Sequence, residues 1–233
     1  MVMVAMFAAV LVSCNQNDNE EIEDDRGGSG SSGSKITQLD ITIENGRNYS
    51  KTVSTVNCLI YSDIQNGSQY KGFDEWVDYN NGSFSFTLPE SIPEEFLELR
   101  YNDHFYGGKA SNQNFKCARV AVRSRMEGSK IWHGIRYYKL IDKSKKMSVW
   151  STLVYFDRDV TITGTGYATD PGRQKFTTEY DVNAKKGWNW LFTVDLDRTI
   201  NEAGIEIIHD KVTTTNPGGM KWYYDEDISK LLR

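Results

Sequence analysis

Three histidines and three cysteines are among the residues with which this 233-residue chain could bind a metal or mount a nucleophile. His104, His133 and His209 form no HExxH pair, and none has a cysteine at zinc-ligand spacing. His133 alternates with Ile131 and Ile135, the pattern of a partly buried histidine on a strand, and His209 reads as a residue at a strand end. His104, in the polar loop YNDHFYGGKASNQN, is the only one placed as a site residue would be. Asp78–Gly82 has its glycine fifth where a calcium loop needs it sixth, so a hairpin turn is the better reading. No nucleophile elbow or marked carboxylate pair supports hydrolysis. The expectation is a protein that is not an enzyme and uses no cofactor and no metal, with a hydrolase as the third-ranked alternative.

A different chemistry, the recognition of anions, is written between residues 109 and 146. This stretch holds eleven basic residues and only two acidic ones, Glu127 and Asp142. Taking Glu127-Gly128 as a two-residue turn, one face of the hairpin carries Ala118, Val120, Val122 and Met126 opposite Tyr137, Ile135, His133 and Ser129. The other face gathers Arg119, Arg123 and Arg125 opposite Arg136, Trp132 and Lys130, with Tyr138 beside Cys117. Arginine forks match carboxylate, sulfate and phosphate. Trp132 against Arg123 suits a cation–π contact, and a flat ring can stack on a sugar. The ribbon is therefore either a platform for an anionic partner or a structural face, whose cations pair with acids on adjacent strands or simply keep it wet. The partners weighed are a sulfated or uronic-acid glycan, lipopolysaccharide phosphate and an acidic protein. The candidate ligand-binding residues are Arg119, Arg123, Arg125, Lys130, Trp132 and Arg136.

The elements that would position this ribbon are short strands with frequent turn signals. In DEWVDYNNGSFSFTLP, Asn81-Gly82 favours a type I′ turn, which sets Tyr79 against Phe84 and Val77 against Phe86. Asn66-Gly67 marks another turn after STVNCLIYSD. Ser91 and Glu94 have capping-box spacing around Pro93, which predicts a short helix burying Ile92, Phe96 and Leu99. Asp170-Pro171-Gly172 separates two strands. After Gly187, Trp188, Trp190, Phe192 and Val194 alternate, the pattern of core packing. IEIIHDKVTTT and MKWYYDED form a last strand pair across Asn216–Gly219. Ten or so strands of this kind predict an all-β antiparallel sandwich, ahead of a barrel, with one or two short helices.

The first 34 residues have another logic. Met1–Val12 is apolar but too short to span a bilayer, and it matches a signal-peptide core, although no cation precedes it. Leu11-Val12-Ser13-Cys14 resembles a lipobox, which implies cleavage before Cys14 and lipidation of that residue. Six acids between Asp18 and Asp25 and the linker RGGSGSSGS follow, a composition that predicts disorder. The acidic run resembles the surface-export signal of Bacteroidetes lipoproteins. Three segments result: a signal peptide over 1–13, a lipidated tether over 14–34, and a β-sandwich domain over 35–233. The net charge of −5 belongs to the tether: removing Arg26 from 27 cations and those six from 32 acids leaves 26 of each. A neutral domain argues against nucleic acid as a partner. In an oxidising envelope Cys58 and Cys117 are available for a disulfide, with buried free thiols as the alternative.

The pieces GSFSFTLPESIPEEFLEL, DVTITGTG, YDVNAKKGWNWLF and GGMKWYYDED, in this order, resemble a family of Bacteroidales lipoproteins of unassigned activity. The resemblance spans most of residues 75–228 and implies an envelope location and a β fold, with no catalytic residue. The expected function is a lipid-anchored module on the outer-membrane surface that captures an extracellular ligand such as an anionic glycan. The alternative is an accessory lipoprotein docking onto a transporter or adhesin through exposed aromatics such as Trp188 or Tyr223.

Overall fold

The structure is a computed structural model that describes residues 36–62, 71–99, 107–129, 131–170 and 174–233. The signal segment, Cys14 and the tether lie outside the described residues, as do the Asn66-Gly67 turn, His104, Lys130 and Pro171-Gly172.

Strand β1 (Gln38–Thr42) pairs with β4 (Ser83–Thr87) in a small sheet. The large sheet runs in the order β3 (Lys71–Asp78), β2 (Thr55–Ser62), β7 (Lys116–Arg125), β8 (Trp132–Asp142), β9 (Met147–Phe156) and β12 (Gly187–Ile200). It continues through β13 (Glu206–Thr213), β11 (Gln174–Ala184), β10 (Val160–Asp170) and β6 (Lys109–Ala110). Off this path, β5 (Glu98–Leu99) pairs with β7 and β14 (Lys221–Tyr224) with β8. The sheets do not close into a barrel, and the fold is an all-β sandwich.

Alternation along each strand dictates the layers. Leu39 and Ile41 of β1 and Phe84 and Phe86 of β4 pack on Val56, Cys58, Ile60, Val122, Ile135 and Tyr155. Farther along the large sheet the opposite face is buried: Val154, Phe156 and Leu191 meet Val160, Ile162, Tyr180 and Val182. Strand β9 thus serves both cores, and its last four residues, Leu153–Phe156, are all buried. That is why they read as a continuous apolar run instead of an alternation.

One ladder is parallel, β11 with β13. The chain reverses between β11 and β12 and again between β12 and β13, so β13 returns in the direction of β11 and fits between the two. This departs from the expected all-antiparallel pairing.

Four local expectations are revised. Asn81 (φ 51°) and Gly82 (φ 96°) do make the turn, with Asn80 bridged to Ser83. Beyond it the strands part: β3 stays with β2 while β4 joins β1, so Val77 and Phe86 share a core without a ladder. The Ser91 capping box does not form. Pro93 is extended (ψ 143°) and leaves room only for a 3₁₀ turn over Glu94–Phe96, although Ile92 is buried as expected. β14 pairs with β8 instead of β13, and the acids after it open a helix, α1 (Asp225–Leu231). Asp225, Glu226 and Asp227 stand in its first turn, where negative charge is favoured. Finally, Cys58 and Cys117 are both buried and form no disulfide. Cys58 sits opposite Val122, whereas Cys117 has the other parity along β7, so the two thiols point into different cores.

Candidate functional site

The basic ribbon exists, with its register moved by two residues. Arg125 faces Trp132, Arg123 faces Gly134, and Val122 faces Ile135. A shift of two preserves the side of every residue, so the apolar and cationic faces divide as the alternation predicts. Gly134 has no side chain to occupy the place beside Arg123. The Trp132 ring fills it diagonally, and the Arg123 guanidinium lies 4.1 Å from the ring centroid.

The ribbon is one part of a wider face. Asn57 on β2 and Trp76 on β3 lie in register with Arg123, and Tyr61 with Arg119. Trp150 on β9 lies opposite Tyr138, on the same side. Arg123 Nε donates to Asn57 Oδ1 at 2.9 Å, and Asn57 Nδ2 donates to Asp74 Oδ2 at 3.3 Å. Trp76 Nε1 donates to the same carboxylate oxygen at 3.2 Å, and its ring lies 5.5 Å from that of Trp132. These five side chains close a loop that holds the Arg123 head group in one orientation and satisfies the fully buried Asn57.

The cations differ in their partners. Arg136 Nε binds Asp225 Oδ1 at 2.5 Å, Lys116 pairs with Glu94, and Lys145 pairs with Asp197. Arg125 Nε donates to the Ser129 carbonyl at 2.9 Å. Among the described residues no carboxylate pairs with Arg119, Arg123 or Arg125. An acid therefore pairs with Arg136, from helix α1 and not from an adjacent strand, as well as with Lys116 and Lys145, and among the described residues none pairs with these three arginines.

The face has an opening. The β7–β9 ladder ends at Arg119↔Val154, the β7–β8 ladder begins at Val122↔Ile135, and the β8–β9 ladder begins at Tyr138↔Trp150. Between these three ladder ends lies a cavity of about 330 Å³. Arg119, Arg123, Trp132, Arg136 and Trp150 line it from the cationic side, and Leu39, Tyr137, Trp190 and Trp222 from the core side. Sequence reasoning missed Trp76 and Trp150. The signal for Trp76 was its parity, opposite to that of Val77 and Tyr79. Trp150 stands between the core residue Val149 and Ser151, in the same alternation.

Other titratable groups have structural partners. His133 Nδ1 meets Glu226 Oε1 in a partly buried pair, and Asp227 Oδ2 accepts from the Tyr49 hydroxyl at 2.9 Å. With the Arg136–Asp225 pair, each acid of the first turn of α1 holds the helix to a different group. Burial, then the Asp227 bond, keeps the Tyr49 hydroxyl far above its usual range. His209 lies within β13, not at its end, 2.9 Å from Glu179 Oε1. Asp195 accepts from the Ser148 N–H at 2.8 Å and faces Asp210 across the β12–β13 ladder. Burial first, and the Asp195 charge besides, raise the Asp210 carboxyl above the ordinary range, against the Thr178 hydroxyl and His209. Burial pushes the Cys58 thiol up to about 12, with the Glu75 charge adding to it. Among the described residues no cluster could hold a metal ion.

The two aromatics named for docking are less available than expected. Trp188 is buried, with its Nε1 donating to the Pro89 carbonyl at 2.9 Å, and Tyr223 is half-buried. Trp190 packs 5.4 Å from Tyr137 and 6.0 Å from Trp222.

Searches of family models, curated proteins and solved structures found no match to the chain.

Proposed function

We propose that this protein is a lipid-anchored binding module of the outer-membrane surface that captures an anionic extracellular ligand, a glycan above all. One observation carries the reading. Trp76, Trp132 and Trp150, exposed at 48 %, 38 % and 41 %, share a sheet face with three arginines that have no carboxylate partner among the described residues. Large aromatics left in water beside oriented guanidinium groups are what a sugar ring and an anionic substituent require. The anchor and the location rest on the apolar leader, the LVSC tetrapeptide and the acidic run after Cys14.

The test is a glycan array followed by titration of the wild type and an Arg119→Gln/Trp132→Ala double variant. Loss of acidic-glycan binding with the fold retained, the melting temperature falling by no more than a few degrees, supports the reading. Binding that survives both substitutions removes the site from this face.

A second reading, docking onto an envelope transporter or adhesin, is favoured by a separate feature. Tyr167 and Ile200 are 74 % and 73 % exposed on β10 and β12. Stoichiometric recovery of a protein partner that a Tyr167→Ser/Ile200→Ser variant loses would support it.

A further inference from the structure

A ligand bound on this face has two ways to lie, along the exposed tryptophans or into the opening between β7, β8 and β9. In an unbroken pleated sheet the backbone separates side chains of opposite parity, and the two sets cannot line one cavity. Here they do. Arg119 and Trp132 from the outer face share the cavity with Tyr137, Trp190 and Trp222 from the core face. The sheet is therefore pierced where its three ladders part. The outer mouth carries charge, and the inner end is aromatic, with Tyr137 stacked on Trp222 at 5.1 Å.

The side-chain partners of the three cavity arginines narrow the anion site to one residue. Arg136 is neutralised by Asp225, and Arg123 is held by Asn57 beneath the Trp132 ring. Arg119 lines the cavity with no carboxylate partner among the described residues. Arg123 shares that lack of a carboxylate, but its head group is already held, so the one guanidinium left to a ligand matches a single negative charge. The volume narrows the ligand as well. About 330 Å³ lies at the small end of ligand cavities, which run from about 300 to 1,000 Å³, so there is space for one ring and not for a chain.

We infer that the cavity takes the terminal ring of an acidic glycan end-on, with the ring's one anionic substituent on Arg119 and its apolar face toward Tyr137 and Trp222. This rests on the binding reading above and adds that the protein recognises chain ends, not chain interiors. The shared chemistry is a monoanionic six-membered ring, whose charge a carboxylate or a sulfate can supply.

The experiment is titration of the full chain in detergent with galacturonic acid, its methyl ester, glucose 6-sulfate, and linear tri- and hexagalacturonic acid. End-on capture predicts that one acidic monosaccharide binds within about tenfold of the hexamer, because added units find no further subsite. The two acidic monosaccharides then report whether carboxylate or sulfate is preferred. The neutral methyl ester should bind about ten- to a hundredfold more weakly than the free acid. Arg119→Gln should impose the same loss, and Arg119→Lys, which keeps the charge without the fork, an intermediate one. Trp76→Ala, outside the cavity, separates the two poses: end-on capture predicts that it weakens the hexamer no more than it weakens the monosaccharide. If the hexamer binds more than about a hundredfold tighter than either monosaccharide, and Trp76→Ala weakens it, the ligand lies side-on. The end-on inference then falls while the binding reading stands. If no acidic sugar of any length binds, both fall.

Discussion

The guanidinium of Arg123 lies 4.1 Å from the centroid of Trp132, although the strand ladder sets Arg123 opposite Gly134. The absence of a side chain at residue 134 creates the contact. A double-mutant cycle with Arg123→Met and Trp132→Leu, followed by urea unfolding, should give a coupling energy of about 0.5–1 kcal/mol. A coupling within error of zero would mean that the two groups only lie close together.

Gly134 has a second role. A Cβ there would collide with the Asp225 carboxylate, which reaches over the glycine to bind Arg136. Gly134→Ala should displace that carboxylate and cost about 0–1 kcal/mol, the range for an exposed ion pair, lowering the melting temperature by no more than a few degrees. Amide hydrogen exchange should rise first in α1, since Asp225 opens that helix. Uniform acceleration across the sheet would contradict this.

Asp210 sets a pH dependence of definite sign. Its folded carboxyl is raised above the usual value of 3.8, by burial first. A raised acid binds its proton more tightly when folded, so its contribution is complete below the unfolded value and is lost as pH rises through the folded one. Asp210→Asn should therefore stabilise the protein more at pH 7 than at pH 3.5, measured by thermal unfolding at both. The opposite ordering would show that the ionised form is the stabilised one.

Asp157 works in the other direction. Burial opposes its charge, but the Arg158 side chain and the Lys116 N–H outweigh that and hold its carboxyl below the ordinary range. Its contribution is present above the unfolded value and is lost as pH falls through the folded one. Asp157→Asn should lower the melting temperature at pH 7 and converge on the wild type near pH 2. A constant difference at both pH values would remove the charge from the explanation.

The thiols should be silent until the fold opens. Cys58 and Cys117 are buried, and the Cys58 thiolate is negligible at pH 8 with its thiol pushed up to about 12. Iodoacetamide should label neither in native buffer and both in 6 M guanidinium, without prior reductant. Labelling that appears only after reduction would mean that a disulfide exists.

Cys14 offers the direct test of the anchor. Wild-type protein should incorporate labelled palmitate and partition into detergent, and Cys14→Ala should do neither. Equal incorporation by the variant would displace the lipobox reading.

Parity along each strand was legible in the sequence because it is local: successive side chains alternate whatever the strand pairs with. It placed Arg119, Arg123, Trp132 and Arg136 on one face and Val122 and Ile135 on the other, and a register error of two residues left that division intact. The Asn81-Gly82 turn was legible for the same reason, since its left-handed backbone depends on two residues alone. Partner choice is not local. Nothing in residues 71–87 says that β4 will leave β3 for β1, or that β14 will add to β8, because those ladders join segments far apart in sequence. The cavity is the furthest from the sequence. It arises where β7, β8 and β9 diverge and every local pattern would continue the sheet. Sequence alone determined that cations and a tryptophan share a face. Only the tertiary structure decided which cations Asp225 and Asn57 hold, that Arg119 is held by neither, and that a gap opens beside it.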